Sequence, residues 1–135
     1  MDNKEIVFAY VDAMNRGDME RLRQLFSAEA EIIGVTGRGS FDYASGVWRQ
    51  LHAALNMRLE VRSIVAEGDV VAVRFEETGV WTQPFRDFDA PTGRSFRLDA
   101  IEWFEIAEGK ILRRWGVRDG GSLAAQVGFP ARQPT

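Results

Sequence analysis

The sequence predicts an α+β fold: a strongly bent, mixed or antiparallel sheet, wrapped on one side by three helices from the N-terminal half, around a cone-shaped space. Three observations predict it. Apolar residues recur at helical spacing up to Leu55. They alternate with polar residues from Met57 to Asp119. Turn signals at Gly68-Asp69, Pro91-Thr92-Gly93 and Glu108-Gly109 cut that second half into strands. At 135 residues the chain makes one domain with one core, spanning 1–135.

The elements follow in order. Val7, Tyr10, Val11 and Met14 form the apolar stripe of a first helix, Asp2 to Arg16, with Asp2 as N-cap and Gly17 as the stop. Asp18 caps a short second helix to about Phe26. Glu29 to Val35 reads as a first strand and residues 36–39 as a loop. Ser40 caps a third helix through Leu55, with Val47, Trp48, Leu51 and Leu55 on one face. His52 sits beside that face and reads as a solvated or structurally bonded histidine. Strands follow at Met57–Ala66 and Val70–Trp81, the latter with Val71, Val73 and Phe75 on one face. Residues 82–90 form an irregular connection whose aromatics cover a sheet edge. After Asp119, Gly120-Gly121 ends the last strand, a short helix runs from Ser122 to Val127, and residues 129–135 are a loose tail.

The hairpin after Pro91 concentrates the chemistry. Phe96, Leu98, Ala100, Glu102, Phe104 and Ile106 share one face, apolar except for Glu102. Counting outward from a Glu108-Gly109 loop pairs Ile106 with Ile111, Phe104 with Arg113, Glu102 with Trp115, Ala100 with Val117 and Leu98 with Asp119. Two acids, Glu102 and Asp119, then share the inner face with Trp115 and Arg113. On the outer face Trp103 meets Arg114 and Asp99 meets Arg118. An acid on an apolar face matters because desolvation disfavours the charged form; it can stay protonated, donate a hydrogen bond or act as a general acid. The alternative is that Glu102 is neutralised by Arg113 and is structural.

Composition excludes several classes. A net charge of −3 without a basic run argues against nucleic acid as a partner. No stretch approaches a membrane span, the acidic start MDNKE is no signal peptide, and a cytoplasmic location is the default expectation. With no cysteine and one histidine, a thiol nucleophile, a thiolate metal site and a multi-histidine metal centre are excluded. The two glycines of residues 36–39 lack the strand-then-helix context of a phosphate-binding loop.

Short runs along nearly the whole chain carry a resemblance. They are Tyr10-Val-Asp-Ala-Met-Asn-Arg-Gly-Asp18 followed by Leu25-Phe26, Glu67-Gly-Asp-Val-Val-Ala-Val73, Pro91-Thr-Gly-Arg94, Gly109-Lys-Ile111, Trp115 with Asp119 four residues on, and Gln126-Val-Gly128. In order and spacing the chain resembles the SnoaL-like group of the nuclear-transport-factor-2-like superfamily. That fold hosts both enzymes and non-catalytic partners. By resemblance to ketosteroid isomerases, Tyr10 and a protonated Glu102 would form an oxyanion hole. The isomerase's general base would fall near Gly34, which cannot take a proton. The acids of limonene epoxide hydrolases would fall at Phe85 and Val117. By resemblance to SnoaL-like cyclases, Asp119 would be the proton-transfer group; the alternative is that Asp119 caps the following helix.

The expectation is a small cofactor-independent and metal-free enzyme of cyclase or isomerase type, acting by acid–base chemistry on an apolar, ring-sized carbonyl compound. Asp119, Glu102 and Tyr10 would be catalytic, and Trp115, Trp48, Arg113 and Phe104 would line the substrate site. The alternative is a non-catalytic ligand-binding or dimerisation module of the same fold. A homodimer is expected through the outer face carrying Ile101 and Trp103.

Overall fold

Asp2 and Gly17 bracket the first helix as their chemistry requires. The Asp2 carboxylate accepts from the Glu5 backbone N–H, and Gly17 closes the C-terminus at φ 67°. The computed structural model describes residues 1–34 and 37–129, with helices α1 (Asn3–Arg16), α2 (Met19–Leu25), α3 (Phe41–Leu55) and α4 (Gly120–Val127). Its strands are β1 (Phe26–Gly34), β2 (Gly37–Gly39), β3 (Arg58–Glu67), β4 (Val70–Val80), β5 (Ser95–Ala107) and β6 (Lys110–Arg118). No helix among the described residues is long and apolar enough to cross a membrane.

The strands form one open six-stranded sheet in the order β2-β1-β6-β5-β4-β3. Every pairing is antiparallel except β1 with β6, so the sheet is mixed. The concave face of this bent sheet and the apolar stripes of the helices form one core. Tyr10 and Met14 of α1, Trp48, Leu51 and Leu55 of α3, and Val71, Val73, Phe75, Phe104 and Ile111 of the sheet are all buried in it. His52 donates from Nε2 to the Met14 carbonyl, tying α3 to the end of α1.

Three local expectations change. The first strand begins at Phe26, three residues early, because the chain passes directly from α2 into the sheet. Residues 37–39, expected as loop, pair with β1 as a short edge strand. The aromatics of 82–90 join Trp81 and Phe129: Phe88 and Phe85 stack on Phe129 at 4.5 and 5.9 Å. Phe129 therefore belongs to the core periphery, while the rest of the expected tail, residues 130–135, lies outside the described residues.

The largest correction concerns the register of β5 and β6. The turn residues Glu108 and Gly109 both have positive φ, 54° and 76°, as a two-residue hairpin turn of the favoured hand demands. Ile106 pairs with Ile111 as expected. Glu105 then pairs with Arg113, leaving Leu112 as an extra residue on β6. This bulge reverses which face every later β6 residue occupies. Glu102 lies opposite Gly116, and Ala100 opposite Arg118. Arg114, Gly116 and Arg118 face inward; Arg113, Trp115 and Val117 face outward. The exchange places Arg114 on Glu102, in place of the expected Arg113, and Arg118 on Glu77.

Candidate active site in the cone

The inner face of the sheet is apolar near the hairpin turn and polar further along. The apolar end is built from Ile106, Ile111 and Phe104. Beyond Phe104 the inward positions alternate charged and very small side chains: Arg114, Glu102, Gly116, Ala100, Arg118 and, on β4, Glu77. Small residues beside long charged ones leave a hollow of about 60 Å³ lined by Ala100, Gly116 and these charged side chains. Ile32, Met14, Trp48, Leu51, Met57 and Leu59 wall it with apolar surface, and the exposed Gly37, Tyr43 and Val117 mark its open side.

Two acid–arginine centres line this hollow. In the first, Glu102 Oε1 accepts from the Tyr10 hydroxyl at 2.6 Å and from Arg114 Nε at 2.7 Å. All three residues are buried. Both distances are in the range of charge-assisted hydrogen bonds, with Glu102 Oε1 the shared acceptor. Burial pushes the Tyr10 hydroxyl well above the ordinary tyrosine range, opposed by the Arg114 charge. Burial alone would lower Arg114; Glu102 and Tyr10 reverse this and hold its charged form more firmly than usual. Arg114 also donates to the Ile33 carbonyl at 3.4 Å and lies 5.7 Å from the centre of the Trp48 ring.

In the second centre Arg118 Nη2 donates to Glu77 Oε2. The side chains are 12% and 3% exposed. Burial pushes the Glu77 carboxyl up, an effect Arg118 partly offsets. Among the described residues, Arg118 Nε is buried without a hydrogen-bond partner.

The structure brings together three of the residues singled out from sequence: Tyr10, Glu102 and Trp48 all line the hollow. Phe104 lies beneath them, its ring 5.0 Å from that of Tyr10, and is packing. Arg113 is on the opposite face, paired with Glu105 at 2.8 Å. Trp115 is there too, opposite Trp103. Asp119 is exposed outside the hollow and accepts from the Ser122 backbone N–H at 3.0 Å, as the N-cap of α4. The bulge at Leu112 accounts for the displacement of Arg113 and Trp115, and the expected pairing of Leu98 with Asp119 is lost with it.

Sequence reading missed Arg114, Arg118 and Glu77. The arginines could not be placed without the bulge. Glu77 carried a signal: counting on by two from Val71, Val73 and Phe75 arrives at it. Among the described residues, no three His, Cys, Asp or Glu side chains gather as metal ligands.

A mixed α+β cone with polar groups at the bottom of an apolar hollow matches one class of proteins. A SnoaL-like domain profile matches residues 7–114, and the chain belongs to that family. Solved structures agree. IdmH, a candidate polyketide cyclase from Streptomyces antibioticus, is 26% identical with a TM-score of 0.85, over 96% of this chain and 100% of that one. AclR, a candidate hydroxylase from Streptomyces galilaeus, is 25% identical with a TM-score of 0.84, over 97% of this chain and 87% of that one. A candidate polyketide cyclase from Pseudomonas putida is 25% identical with a TM-score of 0.80, over 94% of this chain and 98% of that one. No curated protein matches the sequence.

Proposed function

We propose that this chain is a small enzyme of the cyclase or isomerase type, moving protons on an apolar carbonyl compound whose polar end enters the cone. One observation carries the reading: the buried Tyr10–Glu102–Arg114 cluster facing an otherwise apolar hollow. A dry wall that holds a positive charge suits the negative charge that develops on a carbonyl oxygen during enolisation. Glu102 orients both donors, Tyr10 keeps its proton, and Arg114 supplies the charge. Side chains suffice for this chemistry, and the reading asks for no metal or organic cofactor. The likeness to two candidate cyclases supports the reaction type. The hollow is well below the ~150 Å³ that admits a benzene ring. A ring-sized ligand would therefore place its carbonyl inside and its ring toward Tyr43 and Val117.

The test is deuterium exchange at the α-carbon of 2-tetralone, followed by NMR in D2O. The protein should accelerate exchange over buffer, and Glu102→Gln and Tyr10→Phe should each lower the rate about a hundredfold. No acceleration by the wild-type protein overturns the reading. A second reading, a non-catalytic ligand-binding module, is favoured by the mutual pairing of Tyr10, Glu102 and Arg114, which a purely structural cluster would also show. Binding of 2-naphthol without exchange of 2-tetralone would select it.

We also propose a homodimer through the outer sheet face. Val65, Ala72, Trp103, Trp115 and Ile33 lie in register across five strands there, beside the neighbouring pair Ile101 and Val117. Val65, Ile101, Trp103 and Val117 are exposed, and this cluster of apolar side chains supports the reading.

A further inference from the structure

We infer that Glu77 and Arg118 form the working centre of the cavity: the Arg118 Nε–H holds the substrate's carbonyl oxygen, and the Glu77 carboxyl moves the α-proton. This deepens the proposed carbonyl chemistry and rests on it, but it assigns the proton transfer to a pair that stands apart from Tyr10, Glu102 and Arg114.

Four observations point to this pair. Both residues line the same hollow as Glu102. Arg118 Nη2 is engaged by Glu77, yet its Nε–H, equally buried, has no acceptor among the described residues. Buried donors are nearly always satisfied, so an orphaned one on a side chain that lines a cavity points to an acceptor oxygen supplied from outside the chain. Arg118 sits directly opposite the small Ala100, and both line the cavity. The two acids differ in kind as well. Glu102 Oε1 already accepts from both Tyr10 and Arg114. The Glu77 carboxyl is pushed up by burial, an effect that Arg118 partly offsets.

The step balances without a co-reactant. The Glu77 carboxylate takes the α-proton and the C–H bond breaks. Its electron pair becomes the C=C bond of an enolate, and the carbonyl π pair moves onto oxygen. Arg118 Nε–H stabilises that oxygen and keeps its own proton. The Glu77 acid trades this proton for one from solvent before protonating the α-carbon, completing exchange, or delivers it to a different carbon, completing isomerisation.

Two measurements test the assignment. In the first, 2-naphthol, which mimics the enol of 2-tetralone, is titrated into the wild-type protein while the arginine Nε–H resonances are followed by 15N NMR, with Arg118→Lys identifying the Arg118 signal. That signal should move on binding. A bound naphthol that shifts the Trp48 indole but leaves Arg118 Nε–H unmoved overturns the assignment, as does failure to bind. In the second, 2-tetralone exchange should slow about a hundredfold in Glu77→Gln, with loss of the acidic limb of the pH profile, and comparably in Arg118→Lys. Arg118→Lys keeps the charge and one donor group but lacks the guanidinium Nε–H. Wild-type rates in both variants, with Glu102→Gln slow, overturn this inference and leave the proposed function standing. No exchange by the wild-type protein overturns both. Because Glu77→Gln strands a buried charge, the double variant Glu77→Leu/Arg118→Met, which removes both charges together, provides a folded control. It should neither exchange 2-tetralone nor bind 2-naphthol, and full activity in it overturns the assignment.

Discussion

The guanidinium of Arg114 lies directly over Gly116: a Cβ added to Gly116 would stand 2.6 Å from Arg114 Cζ. Gly116 in turn faces Glu102 across the β5–β6 pair. The missing side chain is what lets Arg114 fold along its own strand and reach the carboxylate. Gly116→Ala should push the guanidinium off Glu102. Because breaking a buried pair costs up to ~3–5 kcal/mol, the urea midpoint should fall well below that of the wild type. A midpoint unchanged by the substitution would show that Arg114 has another route to Glu102.

Tyr10→Phe removes one of the two donors to Glu102 and nothing else from the core. A hydrogen bond to a charged group contributes ~1.5–3 kcal/mol, and urea denaturation should report a loss of that size. The pH dependence follows from the raised Tyr10 value. A group whose affinity for its proton rises on folding contributes stability that is intact below its unfolded pKa and is lost above it. Wild-type stability should therefore fall as pH rises past the ordinary tyrosine value of 10.0, and Tyr10→Phe should flatten part of that fall.

Glu77 and Arg118 behave as a buried pair whose members cannot be removed singly. Glu77→Gln should destabilise by ~3–5 kcal/mol, while Glu77→Leu/Arg118→Met together should be neutral or stabilising by up to ~4 kcal/mol. Since Glu77 is raised above its usual 4.5, its contribution is present below pH 4.5 and is lost as pH rises through the folded value. Comparing urea midpoints of the wild type and the double variant across that window isolates the effect. A double variant as unstable as the single one would show that the pair is a net source of stability.

Asp119→Ala should cost about 1 kcal/mol through loss of the α4 cap. It should leave 2-tetralone exchange near the wild-type rate, because the side chain is directed at Ser122 outside the hollow. A hundredfold slower exchange in a folded Asp119→Ala protein would return this acid to the site.

Trp103→Glu places a charge in the middle of the outer apolar row. Sedimentation at micromolar concentration should show a dimer for the wild type and a monomer for the variant. A monomeric wild type would remove the homodimer from the account.

Much of this was readable from the residues. Asp2, Asp18 and Ser40 announce three helix starts, because a short polar side chain can satisfy a free backbone N–H only there. Alternation from Phe96 to Ile106 correctly put Glu102 on the buried face, and helical spacing put Tyr10 and Trp48 on the faces that meet it. What misled was Leu112. A bulge has no local signature here, and its consequence is global for the strand: one extra residue turned Arg113 and Trp115 outward and Arg114 and Arg118 inward.

The sequence by itself determined the helices, the strands, the buried position of Glu102 and the kinship of the chain. The kinship rests on the order of short motifs along the chain, and the rest on short-range periodicity and capping, which act within a few residues. Only the tertiary structure decided the partners of each acid. Arg114 beside Glu102, and Arg118 beside Glu77, depend on strand register, and register was set by burying four charges in pairs across strands distant in sequence.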